Sequence, residues 1–262
     1  MAIAGAVPTE LGDKRIRDLL MQYAVPAIIA MTASSLYNMV DSIYIGHIKD
    51  VGSYAISGLA VTFPLMNLAT ALGTLVGVGA STILSMLLGQ RNYKAANKVL
   101  LNEVLLNIII GMVFSVVTLS FLDPILMFFG ASQNTLPFAR DYMVIILLGN
   151  VITHLYFGLN NMVRASGNPK LAMELTVSTV VSNTIMDPIF IFVLDMGIKG
   201  AAIATVLCQL MALIYTARYF FNQNNYLHLP KSLRDYKLDI RIAKDSLTIG
   251  MGPFLMNFAA CI

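Results

Sequence analysis

The sequence predicts an all-α membrane protein: six spanning helices followed by the start of a seventh. Three observations predict it. Of 262 residues, 57% are hydrophobic and only 12% are charged, where soluble domains carry roughly 25% charged residues. The mean hydropathy is +0.74, and the apolar residues come in blocks long enough to cross a bilayer. The basic residues, finally, alternate between dense and sparse from one gap to the next.

A spanning helix needs about 20 mostly apolar residues. Seven such runs are present, at 19–47, 55–88, 99–122, 137–161, 171–194, 199–221 and from 246 onward. The first is too long for a signal-peptide core and no small-residue cleavage site comes after it, so it reads as a retained helix. The second is over-long and is expected to project from the bilayer near Gly89. Turn chemistry fills the gaps: Gly89-Gln90-Arg91-Asn92, Gly130-Ala131-Ser132-Gln133-Asn134, Ser166-Gly167-Asn168-Pro169 and Met196-Gly197.

Lys and Arg set the orientation, because they concentrate in cytoplasmic loops. One side holds Lys14, Arg15 and Arg17, then Arg91, Lys94 and Lys98, then Arg164 and Lys170, then Arg218, Lys231, Arg234, Lys237, Arg241 and Lys244, which is 14 residues. The other side holds Lys49, Arg140 and Lys199. The split alternates with every span, supports the span count and predicts a cytoplasmic N-terminus in a multi-pass cell-membrane protein. The net charge of +3 is spread over several loops, so no nucleic-acid partner is expected. Cys208 and Cys261 lie in apolar runs and offer neither a disulfide framework nor metal-ligand spacing.

Residues 222–243 break the pattern. Asn222-Gln223-Asn224-Asn225 opens a polar, basic stretch that reads as a linker on the cytoplasmic side. The segment beyond it repeats the start of the chain. Arg17-Asp18-Leu19-Leu20 leads to Pro26, and Lys244-Asp245-Ser246-Leu247 leads to Pro253, 227 residues further on. Six spans, a linker and a restart describe a parallel repeat of two six-helix halves. The expected organisation is a six-helix lobe over 1–221, a linker over 222–243 and the opening helix of a second lobe over 244–262, with about six further spans to complete it.

Charged residues inside spans are costly, about 2.5–3.5 kcal/mol each by insertion scales, and mark function. Asp41 sits in the first span and Asp187 in the fifth. With Thr205 of the sixth they fall at one depth, about 10 Å from the outer span ends at 1.5 Å per residue. Tyr37 shares a helix face with Asp41, and Asn183 shares one with Asp187. Pro188 cannot donate its N–H, which deprives the Thr184 carbonyl of its helical partner. These are hard oxygen ligands, suited to a proton or a small cation such as Na⁺. Desolvation and like charge both disfavour having the two carboxylates ionised together.

Other polar residues read as structural. Asp141, Glu103 and Glu174 are expected at water-facing span ends. His154 is expected to be a hydrogen-bonded interior residue. The methionines, 16 in all, fill gaps between helices, and Gly73 and Gly77 form a GxxxG pattern for close helix packing. No nucleophile–base pair, metal cluster or phosphate loop suggests an enzyme. A seven-helix receptor is disfavoured by the cytoplasmic N-terminus and by the repeat at the seventh span.

Pro26, Leu36-Tyr37-Asn38-Met39-Val40-Asp41, Gly79-Ala80-Ser81-Thr82, Arg164-Ala165-Ser166-Gly167-Asn168-Pro169 and Asn183-Thr184-Ile185-Met186-Asp187-Pro188 together resemble the multidrug and toxin extrusion (MATE) family, especially its DinF-like prokaryotic branch. The resemblance implies one six-helix lobe of a two-lobe (6+6) antiporter. Such a protein exports organic cations and amphipathic compounds in exchange for H⁺ or Na⁺, with no other cofactor. It implies a cation site at Asp41, Asn183, Asp187 and Thr205, supporting tyrosines at Tyr37 and Tyr142, and a helix bend at Pro26. It also implies that the second lobe is needed for transport. A lipid-linked-precursor or polysaccharide flippase of the same superfamily is the alternative; such cavities tend to be basic, whereas the charges inside these spans are acidic.

Overall fold

The structure, a computed structural model, describes residues 15–49, 51–222, 225–230 and 237–259. Lys14, Lys231, Arg234 and Cys261 lie outside the described residues, as do parts of the expected linker and of the 244–262 stretch.

Every described element is helical. In chain order they are α1 (Ile16–Gly46), α2 (Gly52–Gly89), α3 (Tyr93–Ser120), the short α4 (Leu122–Phe128), α5 (Leu136–Ala165), α6 (Pro169–Pro188), α7 (Gly197–Phe221) and α8 (Ile240–Ala259). A π-helical turn, Ile189–Val193, extends α6. Among the described residues six helices are long and apolar enough to cross a membrane: α1, α2, α3, α5, α6 with its extension, and α7. The chain is a multi-pass membrane protein. All four turn segments expected from the sequence fall at helix ends or in the connections between helices. At Gly167 the turn needs φ = +89°, a conformation that costs glycine nothing and most residues something.

The helices outrun the hydropathy blocks. At about 1.5 Å per residue the 38 residues of α2 make a rod of about 57 Å, well beyond a hydrocarbon core of about 30 Å. Helix α3 begins at Tyr93 rather than near 99, because Asn92 caps it: its side chain accepts a hydrogen bond from the Ala95 N–H at 3.2 Å. Lys94 and Lys98 dilute the hydropathy of this first stretch without interrupting the helix. The third span also ends sooner than expected, and Leu122–Phe128 turns away as a separate helix.

Helix α5 lies at the centre, packed against α2, α3, α6 and α7, while α1 lies along α6. Two apolar cores stack along the bundle. One, toward the end away from the basic loops, includes Leu59, Leu126, Tyr142, Met143, Leu147, Ile191 and Ala201. The other, at the basic-loop end, includes Leu84, Leu100, Met162, Val163 and Phe220, and takes Leu227 and Leu229 from the connection after α7.

That connection is anchored where it is described. Asn97 of α3 clamps it twice, donating to the Tyr226 carbonyl at 3.2 Å and accepting from the His228 N–H at 2.7 Å. Asn102 then accepts from the Asp239 N–H at 2.8 Å. Helix α8 starts directly afterwards at Ile240, inside the stretch read as linker, and packs along α2 and α3. The approach to α2 is close. A Cβ added at Gly79 would stand 1.9 Å from the Ser246 carbonyl oxygen, and one at Gly250 would stand 1.8 Å from that of Leu75.

Candidate functional site

Four helices bring their sequence-predicted residues to one point. Asp41 arrives from α1, Asn183 and Asp187 from α6, Thr205 from α7, and Tyr142 from α5. Asp41 is 5% exposed, Asn183 2%, Asp187 0% and Thr205 5%, so the cluster is buried.

The two carboxyl groups lie close enough to interact with each other. The Asn183 amide donates to Asp187 Oδ1 at 2.9 Å and approaches Thr205 Oγ1 at 3.4 Å. The Thr205 hydroxyl also meets the Tyr37 hydroxyl at 2.9 Å. Tyr142, fully packed in the adjacent apolar core, lies in the neighbourhood of Asp41, Asp187 and Tyr37.

Helix geometry explains why these side chains meet. Asn183 and Asp187 are one turn apart and point the same way. Pro188 comes next, and the widened π-helical turn begins immediately after it; turns of this kind recur at functional sites. Gly200 lets α7 press against that turn, since a Cβ there would stand 2.6 Å from the Phe190 carbonyl oxygen. The pressing brings Thr205 beside Asn183.

Three oxygens of the cluster have no hydrogen-bond partner: Asp41 Oδ1, Asn183 Oδ1 and Asp187 Oδ2. Orphaned buried acceptors cost roughly 1–3 kcal/mol each, more when charged. Two carboxylates and an amide oxygen with free lone pairs can accept protons or coordinate a small hard cation.

Pro26 stands apart. It lies in α1, four turns before Asp41, about 22 Å along the axis at 1.5 Å per residue. It can affect the cluster only through the course of α1.

Other polar residues divide. Asp141 pairs with Lys199 at 3.2 Å, and Glu174 lies 3.9 Å from Lys170, all substantially exposed. Glu103 is different. It is 0% exposed, and the Asn107 amide donates to its Oε1 while Oε2 has no partner. The expectation of a water-facing position fails because α3 starts at Tyr93, which puts Glu103 ten residues inside the helix. His154 is interior as expected, at 1% exposure, but neither ring nitrogen makes a full hydrogen bond.

The MatE family model matches residues 26–189. The multidrug export protein MepA of Staphylococcus haemolyticus (strain JCSC1435) is 31% identical over 244 residues, covering 93% of this chain and 53% of that protein. A crystal structure of MATE in complex with MaD3S superposes with a TM-score of 0.83 at 27% identity, over 91% of this chain and 53% of that one. A MOP superfamily transporter from Pyrococcus furiosus Vc1 (DSM3638), in which a reversed polarity of the binding pocket suggests a different function, superposes at 0.82 and 27%, over 91% and 52%. The chain belongs to the MATE family of membrane transporters. It spans about half the length of the relatives it matches, and its six-helix bundle corresponds to their N-terminal lobe.

Proposed function

We propose that this lobe carries the coupling site of an exporter that moves organic cations and amphipathic drugs out of the cell in exchange for H⁺ or Na⁺. The observation that carries the reading is the pair Asp41 and Asp187: two buried, neighbouring carboxyl groups, each with one partnerless oxygen, beside the partnerless Asn183 oxygen. A structural ion pair would contain a cation from the protein, and no ion pair to either aspartate occurs among the described residues. An incoming proton or Na⁺ supplies the missing positive charge.

In this reading Asp41, Asn183, Asp187 and Thr205 bind the ion from the outer face, Tyr37 supports Thr205 through its hydroxyl, and Tyr142 backs the site from the adjacent core. Neutralising the pair removes the repulsion between α1 and α6. Helix α1 then shifts, with Pro26 as its weak point, because proline deletes one backbone hydrogen bond of the helix. The pocket beside α1, lined by Tyr37, Phe157, Asn183, Thr205 and Gln209, changes shape and releases its cargo outward. The orientation is the one the basic loops predict: N-terminus in the cytoplasm, basic loops inside, the aspartate pair in the outer half of the cell membrane. The organisation is a lobe over 1–221, a linker over 222–243 and the start of a second lobe, whose remainder completes the substrate cleft.

The test is efflux of a fluorescent organic cation from cells expressing the whole gene product. Asp41→Asn and Asp187→Asn should each reduce cation-driven efflux to background at normal expression. Wild-type efflux from both variants would sink the reading.

A further inference from the structure

A second buried polar column lies nearer the basic-loop end and shares no residue with the aspartate site. It is built where α2, α3 and α5 meet, and three glycines make room for it. A Cβ at Gly158 of α5 would stand 1.7 Å from Glu103 Oε1 and 2.5 Å from the Asn107 amide nitrogen. One turn earlier on α5, the His154 ring packs between α2 and α3: Cβ atoms at Gly73 and Gly111 would stand 3.9 Å and 3.6 Å from it. Asn150, one further turn along, donates to the Gly111 carbonyl at 3.2 Å.

The column is under-satisfied. Glu103 Oε2, Asn107 Oδ1 and both nitrogens of His154 lack hydrogen-bond partners; the Ala69 carbonyl lies near the imidazole without meeting full hydrogen-bond geometry. No counter-ion faces Glu103. Helix α2 offers no charged side chain, and Lys98 of α3 and Lys244 and Asp245 of α8 are exposed. On α5 the titratable groups at this end are His154, the buried Tyr156 and the half-buried Arg164, and no ion pair to Glu103 occurs among the described residues. A bare carboxylate without a cation in such a place costs several kcal/mol, whereas a carboxylic acid that accepts from Asn107 does not carry that cost.

The residues flanking Glu103 on α3 touch the helix that begins the next lobe. Asn102, beside Glu103, receives the Asp239 N–H at the entry to α8. Leu106, three residues on, packs with Val76 of α2 and Ala243 of α8. Ser246, on the same face of α8 as Ala243, is 0% exposed and its hydroxyl has no partner.

We propose that Glu103 is a second proton-binding site of this lobe, and that its ionisation loosens the seam between α2, α3 and α8. The carboxylate takes its proton from water entering at the basic-loop end and returns it there, with no other bond made or broken. Protonated, Glu103 lets the seam stay dry and α8 stay seated. Ionised, it draws in water, which the free hydroxyl of Ser246 and the free oxygen of Asn107 can bind. The site thus links proton occupancy to the packing of the second lobe's first helix, independently of Asp41 and Asp187.

The test uses the whole gene product in lipid bilayers. Infrared absorption reads protonated carboxyl groups, and amide hydrogen exchange, corrected for the intrinsic pH dependence, reads the packing of residues 240–250. In an Asp41→Asn/Asp187→Asn background, a protonated-carboxyl band present at neutral pH should disappear in E103Q. Protection of 240–250 should fall about tenfold, equal to about 1.4 kcal/mol, between neutral and alkaline pH when Glu103 is present, and should not fall in E103Q. Should E103Q fail to assemble, E103M, of similar length and needing no partner, gives the same two readings. An unchanged infrared band, or an equal loss of protection without Glu103, overturns the proposal. Neither readout depends on transport, so their failure is distinct from a failure of the Asp41–Asp187 reading.

Discussion

The hydroxyls of Tyr37 and Thr205 stand 2.9 Å apart although 168 residues of chain separate them. This bond ties α1, an exposed outer helix, to α7, and it does so at the edge of the aspartate pair. Thr205 also lies 3.4 Å from the Asn183 amide, so one hydroxyl serves three helices.

Tyr37→Phe and Thr205→Val each remove one side of that tie, so their effects on thermal unfolding of the purified protein should be less than additive. A double-mutant cycle should return a coupling of about 0.5–1.5 kcal/mol. Thr205→Ser keeps the hydroxyl and should behave as wild type. Strict additivity would mean the bond is not made in solution.

Asn183→Ala removes the amide that donates to Asp187 Oδ1. The Asp187 carboxylate loses about 1–3 kcal/mol of hydrogen-bond support, which favours its protonated form, so proton-driven efflux should persist to higher external pH than in wild type. The check is efflux measured against external pH. A profile unchanged from wild type would show that the amide does not matter to coupling.

The features legible in the sequence are those that long-range physics dominates. Six spans and the turns between them are encoded in hydropathy, basic loops and turn residues, and Asp41, Asp187 and Thr205 stand out because they share one depth in the bilayer. Local signals are harder to use. Lys94 and Lys98 push the apparent start of α3 back to about 99 and leave Glu103 at an apparent span end. The cap at Asn92 is visible in the sequence and corrects both. The approach of α8 to α2 through Gly79 and Gly250 depends on a contact between distant segments, which no periodicity encodes.

Gly158 and Glu103 provide a steric test. Gly158→Ala places a methyl group where Glu103 Oε1 lies, and overpacking of this kind costs about 1–3 kcal/mol. Adding Glu103→Ala should restore most of the loss in thermal stability, because the clash disappears with the side chain. If the double variant were as unstable as the sum of the singles, the contact between α3 and α5 would be wrong.

The exposed ion pairs should matter little. Lys199→Ala, which breaks the pair with Asp141, and Arg140→Ala, which breaks the 3.4 Å contact with Asp123, should each change stability by about 0–1 kcal/mol, less in high salt. Thermal unfolding at two salt concentrations checks this, and a loss of several kcal/mol would place these charges in a drier setting than their exposure implies.

The Asp41–Asp187 pair is central, because it is the group proposed to couple an ion to cargo movement. The most direct measurement is transport by the whole gene product reconstituted in vesicles, with an imposed H⁺ or Na⁺ gradient and with substrate binding measured in parallel. Asp187→Asn should lose gradient-driven transport completely while its substrate affinity stays within about tenfold, or 1.4 kcal/mol, of wild type. Gradient-driven transport persisting at the wild-type rate in Asp187→Asn would remove the pair from the coupling mechanism.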